Sequence, residues 1–291
     1  MTLAPVPSQS IFSYPFMVNA FRAGTIVAIV AGTLGWFMVL RRQTFAGHTL
    51  SLVGFPGAAG AILLGLSSAL GFFAFCCGAA IVIATVPRPQ GATGYGEESA
   101  VIGSVQALAL ACGFLFVNLY HGNLNGLTGL LFGDFLGITG AQVAVLLAVA
   151  APTLALLAAM SRPLLFASID RDVAAAAGVP VRWIGIGFLL LLGVAVAEAA
   201  QITGALLVFA LLVLPPATAQ AITGRPGRGL LTSVALAVVV TWTGLVIAFY
   251  TPYPTGAFIT TLSFVAYLAA RGVQVMRGRP RSVPAPSTVP A

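Results

Sequence analysis

Residues 17–42 read MVNAFRAGTIVAIVAGTLGWFMVLRR, an apolar run with one arginine near its start and a basic pair, Arg41-Arg42, at its end. Roughly 20 apolar residues in a helix cross a hydrocarbon core of about 30 Å, so this stretch predicts a transmembrane helix. Gly24, Ala28 and Gly32 recur within it at four-residue spacing. Small residues at that spacing let helix backbones approach closely where lipid supplies no hydrophobic drive.

Similar runs fill almost the whole chain, at 44–66, 69–87, 100–119, 138–160, 183–201, 203–222, 229–249 and 257–270. The connection at 201–203 is very short, and 120–137 (YHGNLNGLTGLLFGDFLG) reads as a half-helix or re-entrant piece, so eight spans fit as well as nine. With 291 residues, 59% hydrophobic and 7% charged, no sizeable soluble domain fits. The expected fold class is all-α, a polytopic membrane bundle of about eight to nine transmembrane helices. The first residues lack the basic region of a cleavable signal, so the first run stays as a span. Three segments follow: 1–16 as an extracytoplasmic N-terminal segment, 17–271 as one transmembrane domain, and 272–291, rich in Pro, Ser and Arg, as a disordered cytoplasmic tail.

All 13 basic residues are arginine, and the net charge is +7. In a soluble protein that charge would suggest nucleic acid; here the arginines fall in alternate connections, which positive-inside topology explains. The arrangement puts the N-terminus outside and the C-terminus in the cytoplasm, with only Arg22 on the wrong side. Cys76, Cys77 and Cys112 lie in apolar runs without CxxC spacing and read as small hydrophobic residues.

Three features stand out from the apolar background. The loop SRPLLFASIDRDVAAAAGVPVRW predicts a short helix outside the membrane at about 168–178: Ser168 as N-cap, Asp170 and Asp172 at the positive end of the dipole, four alanines, and a stop at Gly178 and Pro180. Lacking a nucleophile or metal-ligand pair, it is a docking surface. Pro215-Pro216 must break the hydrogen-bond ladder of its span, giving a kink or an unwound turn. His48, Glu198 and Gln201 are polar residues in apolar surroundings, and intramembrane ionisable groups are costly enough to suggest function. Two readings of His48 stand at this point: a pathway ligand, or a neutral imidazole bonded to a helix carbonyl. Glu198 is likewise either a pathway acid or a residue at the outer interface. His121 and Asp134 lie in the outer connection.

Along nearly its full length the chain resembles the membrane permease of bacterial zinc/manganese ABC transporters. The residues that carry the likeness are LRRQTFAGHTLSLVGFPG, the acidic pair Glu97-Glu98, Leu131-Phe132-Gly133, the loop positions Asp170, Asp172, Ala174, Gly178 and Pro180, the stretch GALLVFALLVLPPATAQA, and PYPTGAFI. The resemblance implies a permease of the type II, vitamin-B12-importer-like architecture that moves Zn²⁺ or Mn²⁺, or Fe²⁺, across the bacterial plasma membrane by alternating access. It implies a second permease copy, a cytoplasmic ABC ATPase dimer and an extracytoplasmic metal-binding protein, with lipid as solvent and no nucleic acid. The 168–178 helix would couple to the ATPase. No permanently bound cofactor is implied, and ATP hydrolysis belongs to the partner, since GATGYGEES lacks the Gly-Lys-Ser/Thr of a phosphate loop. The pathway residues would be His48, Glu198, Gln201 and Asp134. One departure matters: where the family has a second ligand, a His four residues on, this chain has Leu52. A stand-alone secondary transporter or channel, proton-coupled through Glu198, is the competing function; it expects more embedded acids and internal repeats.

Overall fold

The computed structural model describes residues 11–85, 94–120 and 135–276, with backbone only for 94–98 and 136. The helices are α1 (Pro15–Leu40), α2 (Thr44–Leu63), α3 (Ser68–Thr85), α4 (Gly94–Leu119), α5 (Gly140–Ile169), α6 (Arg171–Ala176), α7 (Val181–Thr203), α8 (Ala205–Ile222), α9 (Pro226–Tyr250) and α10 (Thr255–Met276). All except α6 are long and apolar enough to cross a membrane, which gives nine candidate spans among the described residues. No strand occurs among those residues, so the all-α expectation holds.

The helix order folds into a centre and a rim. α2 touches α3, α4, α7 and α8, while α1 runs beside α5, α8 and α9. These two central helices, with the inner half of α7, are the most buried; α4, α5 and α10 turn most of their surface outward, as lipid-facing helices do.

Small residues decide where the helices cross. A Cβ added at Gly57 of α2 would collide with the carbonyl oxygen of Gly71 in α3, and one added at Gly71 would collide with that of Gly57. The α1–α9 crossing uses the spacing seen in the sequence: a Cβ on Gly24 would lie 2.9 Å from Thr241 Cγ2, and one on Gly32 would lie 2.9 Å from Val234 Cα. Ser233 Oγ donates to Gly32 O at 2.7 Å across the same seam. α8 is continuous through Pro215 and Pro216, with no unwound turn. Pro216 has no N–H for Leu212 O, and this carbonyl packs directly against Gly35 of α1.

One end of the bundle is tied by polar contacts. Arg41 donates through Nη1 to Ser168 Oγ at 3.4 Å and lies 5.5 Å above the Phe188 ring, joining the ends of α1, α5 and α7. Gln220 Nε2 donates to Trp36 O at 3.0 Å, adding α8.

Several boundaries differ from the sequence expectation. α5 continues beyond 160 to Ile169, so Ser168 ends a long helix and does not cap a new one; its hydroxyl donates back to Leu164 O. The cap of α6 is Asp170. α10 runs on to Met276, making 272–276 helical where a tail was expected. α4 begins at Gly94, ahead of the expected 100.

Gly71→Val forces a branched side chain onto the Gly57 backbone, and overpacking of this kind costs about 1–3 kcal/mol. Thermal unfolding in detergent is expected to show a clear loss for Gly71→Val. Gly78→Ala on the same helix, where an added Cβ meets nothing within 4 Å, is expected to leave stability unchanged or slightly raised.

Candidate functional site

His48 lies one turn into α2, the most buried helix, with its own ring half-buried. Its imidazole rests against Phe209 of α8, ring centroids 4.5 Å apart. Nδ1 is buried and has no hydrogen-bond partner. The tolerated-histidine reading required a bond to a helix carbonyl, and Nδ1 makes none. Ser51 does not stand in as a ligand toward the ring, because its hydroxyl donates to the His48 backbone carbonyl at 2.7 Å. Eight residues after His48, Pro56 lacks the N–H that Leu52 O would otherwise accept, so that carbonyl is without its helical donor.

Phe209 also lines a cleft of about 680 Å³ with Ala210, Val213, Gly256, Thr260 and Thr261, between α8 and the start of α10. The fold therefore gathers segments far apart in the chain: the His48 stretch, the GALLVF stretch and the PTG turn. Phe209 was not singled out in the sequence. Its signal was slight, one aromatic in an otherwise aliphatic run, and contact with His48 is a product of tertiary packing.

Glu198 is 6% exposed and makes no hydrogen bond or ion pair among the described residues. It does not lie at an open interface, because α7 continues to Thr203 and its last turns are buried. Gln201, one turn on, donates Nε2 to Ala197 O at 2.9 Å, leaving Oε1 free to accept. α7 and α8 are joined by Gly204 alone, at φ 83° and ψ 147°. Ile202, Thr203, Gly204 and Ala205 are all buried. A helix C-terminus carries partial negative charge on its last carbonyls, and here that end lies inside protein beside an uncompensated carboxyl group.

These groups do not form a compact metal centre. Among the described residues no cluster of three or more His, Cys, Asp or Glu is present. His48 and Glu198 occupy neighbouring packed helices. Asp134, His121, Leu131, Phe132 and Gly133 lie outside the described residues, as do the side chains of Glu97 and Glu98. The cysteines include no pair; Cys76 Sγ donates to Leu50 O at 3.3 Å, joining α3 to α2.

At the Arg41 end, α6 is built as the sequence suggests apart from its cap. Asp170 Oδ1 accepts from the N–H groups of Asp172 (3.0 Å) and Val173 (2.9 Å). Ala174 is fully buried and seats the helix, Gly178 at φ 83° reverses the chain, and Pro180 precedes α7. The outward surface is apolar: Ile169, Val173 and Trp183 are 72%, 52% and 73% exposed. Exposed apolar residues thus flank a helix seated by Ala174.

The ABC 3 transport family matches residues 13–274. The chain is 31% identical over 259 residues to the chelated iron transport system membrane protein YfeC of Yersinia pestis, covering 89% of this chain and 86% of that one. It is 26% identical over 266 residues to the manganese transport system membrane protein MntC of Listeria innocua, covering 90% and 93%. Among solved structures, PsaBC from Streptococcus pneumoniae in complex with Fab superposes with a TM-score of 0.78 at 26% identity, covering 89% of this chain and 92% of that one.

Gly204→Ala places a Cβ in a backbone region open essentially to glycine alone, at a cost on the order of 1–3 kcal/mol. The expected result is a lower unfolding temperature than wild type, measured in detergent. Gly140→Ala, at an open position, is expected to show no such loss.

Proposed function

The chain belongs to the ABC 3 transport family, and from that premise we propose that it is the membrane permease of an ATP-driven importer of divalent transition-metal ions. The observation that carries the cargo reading is His48, a half-exposed imidazole with an unpartnered nitrogen on the innermost helix of a lipid-embedded bundle. Neutral imidazole suits Zn²⁺ and Fe²⁺, oxygen groups suit Mn²⁺, and geometry sets the selectivity. Curated relatives named for iron and manganese transport support the same class.

One nitrogen ligand per chain, with leucine at 52, gives a loose site. A second permease copy brings a second imidazole to a shared path, and Glu198, Gln201 and Asp134 are its oxygen groups. Loose coordination suits transport, because an ion must bind well enough to enter and weakly enough to leave. ATP hydrolysis belongs to a cytoplasmic ATPase pair. It engages the α6 surface, whose capped, glycine-terminated geometry transmits movement rigidly into α5 and α7. An extracytoplasmic metal-binding protein delivers the ion at the opposite end, and closure of the ATPases turns the bundle from outward- to inward-open. On this reading the N-terminus is extracytoplasmic and the C-terminus cytoplasmic. The proton-coupled alternative finds no support, since Glu198 is the only acid in the spans and the family is one of ABC transporters.

The test is uptake of labelled Zn²⁺, Mn²⁺ and Fe²⁺ into proteoliposomes holding this chain with its ATPase and delivery protein. ATP-dependent uptake is expected for at least one ion, falling to near background in His48→Ala while complex assembly persists. Uptake driven by a pH gradient without ATP would overturn the reading. Val173→Asp is expected to lower permease-stimulated ATPase activity on the order of tenfold, the effect of losing one buried apolar anchor.

A further inference from the structure

Arg22 departs from the distribution of the other arginines. It stands seven residues after the first residue of α1, about 10 Å along the axis, at the end remote from Arg41. It is exposed, and it makes no hydrogen bond or ion pair among the described residues. It lines a cleft of about 470 Å³ between α1, α5 and α9, with Phe12, Phe21, Val143, Leu147 and Trp242. The walls are fixed: Trp242 Nε1 donates to Thr25 Oγ1 at 2.9 Å, and Trp242 meets Phe21 edge-on at 5.9 Å between centroids. Phe12 closes on Phe21 at 5.3 Å.

An arginine within a span is costly unless its guanidinium reaches the polar interface or a counter-charge. Among the described residues none supplies a counter-charge, and the surrounding walls are aromatic and aliphatic. The complementary ligand is an amphipathic anion. A free inorganic anion would leave the apolar walls unfilled, and a partner helix would have to carry a carboxylate at the one matching height.

We infer that the α1–α5–α9 cleft binds an anionic phospholipid, its phosphate on the Arg22 guanidinium and an acyl chain along Phe21, Val143, Leu147 and Trp242. The guanidinium fork matches phosphate oxygens bidentately. The cleft lining includes none of His48, Glu198 and Gln201, so the proposal stands whatever the cargo.

Trp242 is a reporter inside the cleft. The chain has three tryptophans; Trp36 is 5% exposed and gives a constant background, and Trp183, at the other end, is replaced by Phe. The full chain is reconstituted in phosphatidylcholine vesicles with increasing brominated phosphatidylglycerol, and Trp242→Phe identifies the reporting signal. Quenching is expected at a brominated fraction several-fold below that for brominated phosphatidylcholine. Arg22→Gln is expected to abolish the difference, and Arg22→Lys to keep part of it. Thermal unfolding confirms that each variant is folded. Equal quenching by the two lipids would overturn the proposal, leaving a cleft wetted by any acyl chain. Absence of quenching by either would also overturn it, because the cleft would then be covered by protein.

Discussion

The backbone contact between Gly57 and Gly71 is the constraint on which the rest of the bundle rests. Inside lipid there is no hydrophobic gain in pressing one helix on another, so close packing has to supply the stability. With no Cβ on either glycine, α2 and α3 meet carbonyl to Cα. That approach brings Cys76 within bonding distance of Leu50 O, and α3 in turn receives α7 where Gly193 faces the Cys76 backbone. α2 is thereby enclosed by four neighbours, which is why a histidine one turn into it ends up in protein and not in lipid.

Enclosure of α2 and α7 leads to a second property, an interior lined by weak polar groups. Pro56, Pro215 and Pro216 each withhold an N–H and release a carbonyl, and Gly204 ends α7 within the bundle. In hydrocarbon such groups carry a real penalty unless something meets them. One freed carbonyl, that of Leu212, is accommodated by packing against Gly35. At the end of α7 the carbonyls of Ala197, Ala199 and Ala200 are met by Gln201 Nε2, Thr203 Oγ1 and Gly204 N, while the Glu198 carboxyl group has no such partner among the described residues.

Much of this was legible in the sequence because hydrocarbon thickness is a hard ruler. All nine described spans coincide with apolar runs, and the Gly24 and Gly32 spacing marks a real crossing. Helix ends beyond the membrane were not legible, since no ruler applies there. α5 stays helical past Arg162, through Pro163, to Ile169, and only then does Asp170 leave helical geometry and cap α6 with its carboxylate. Ser168 had the right chemistry for a cap, but its hydroxyl was claimed by Leu164 O one turn back. The environment of Glu198 was hidden for a related reason: hydropathy does not say whether an acid near a span's end faces water or a neighbouring helix. For α2 alone burial inverts the hydropathy expectation, since it is the least apolar of the nine described spans and the most enclosed, whereas α10, next in hydropathy, is the least buried. Lipid-facing helices must be apolar all round, whereas a central helix is free to carry Gly, Thr, Ser and His.

The same inversion bears on the missing ligand at Leu52. A leucine four residues after His48 lies on the same helix face, so the face that would carry two ligands carries one nitrogen and an aliphatic side chain. Such a face cannot complete a coordination shell within one chain. Either the imidazole works with groups brought by a second chain, or it acts as a single transient contact for an ion that keeps most of its own water. Both options need an approach to the ring, and the ring packs on Phe209 of α8, which itself lines the α8–α10 cleft. The direction in which the chain is incomplete is thus set by which of α2's faces the glycines have already sealed.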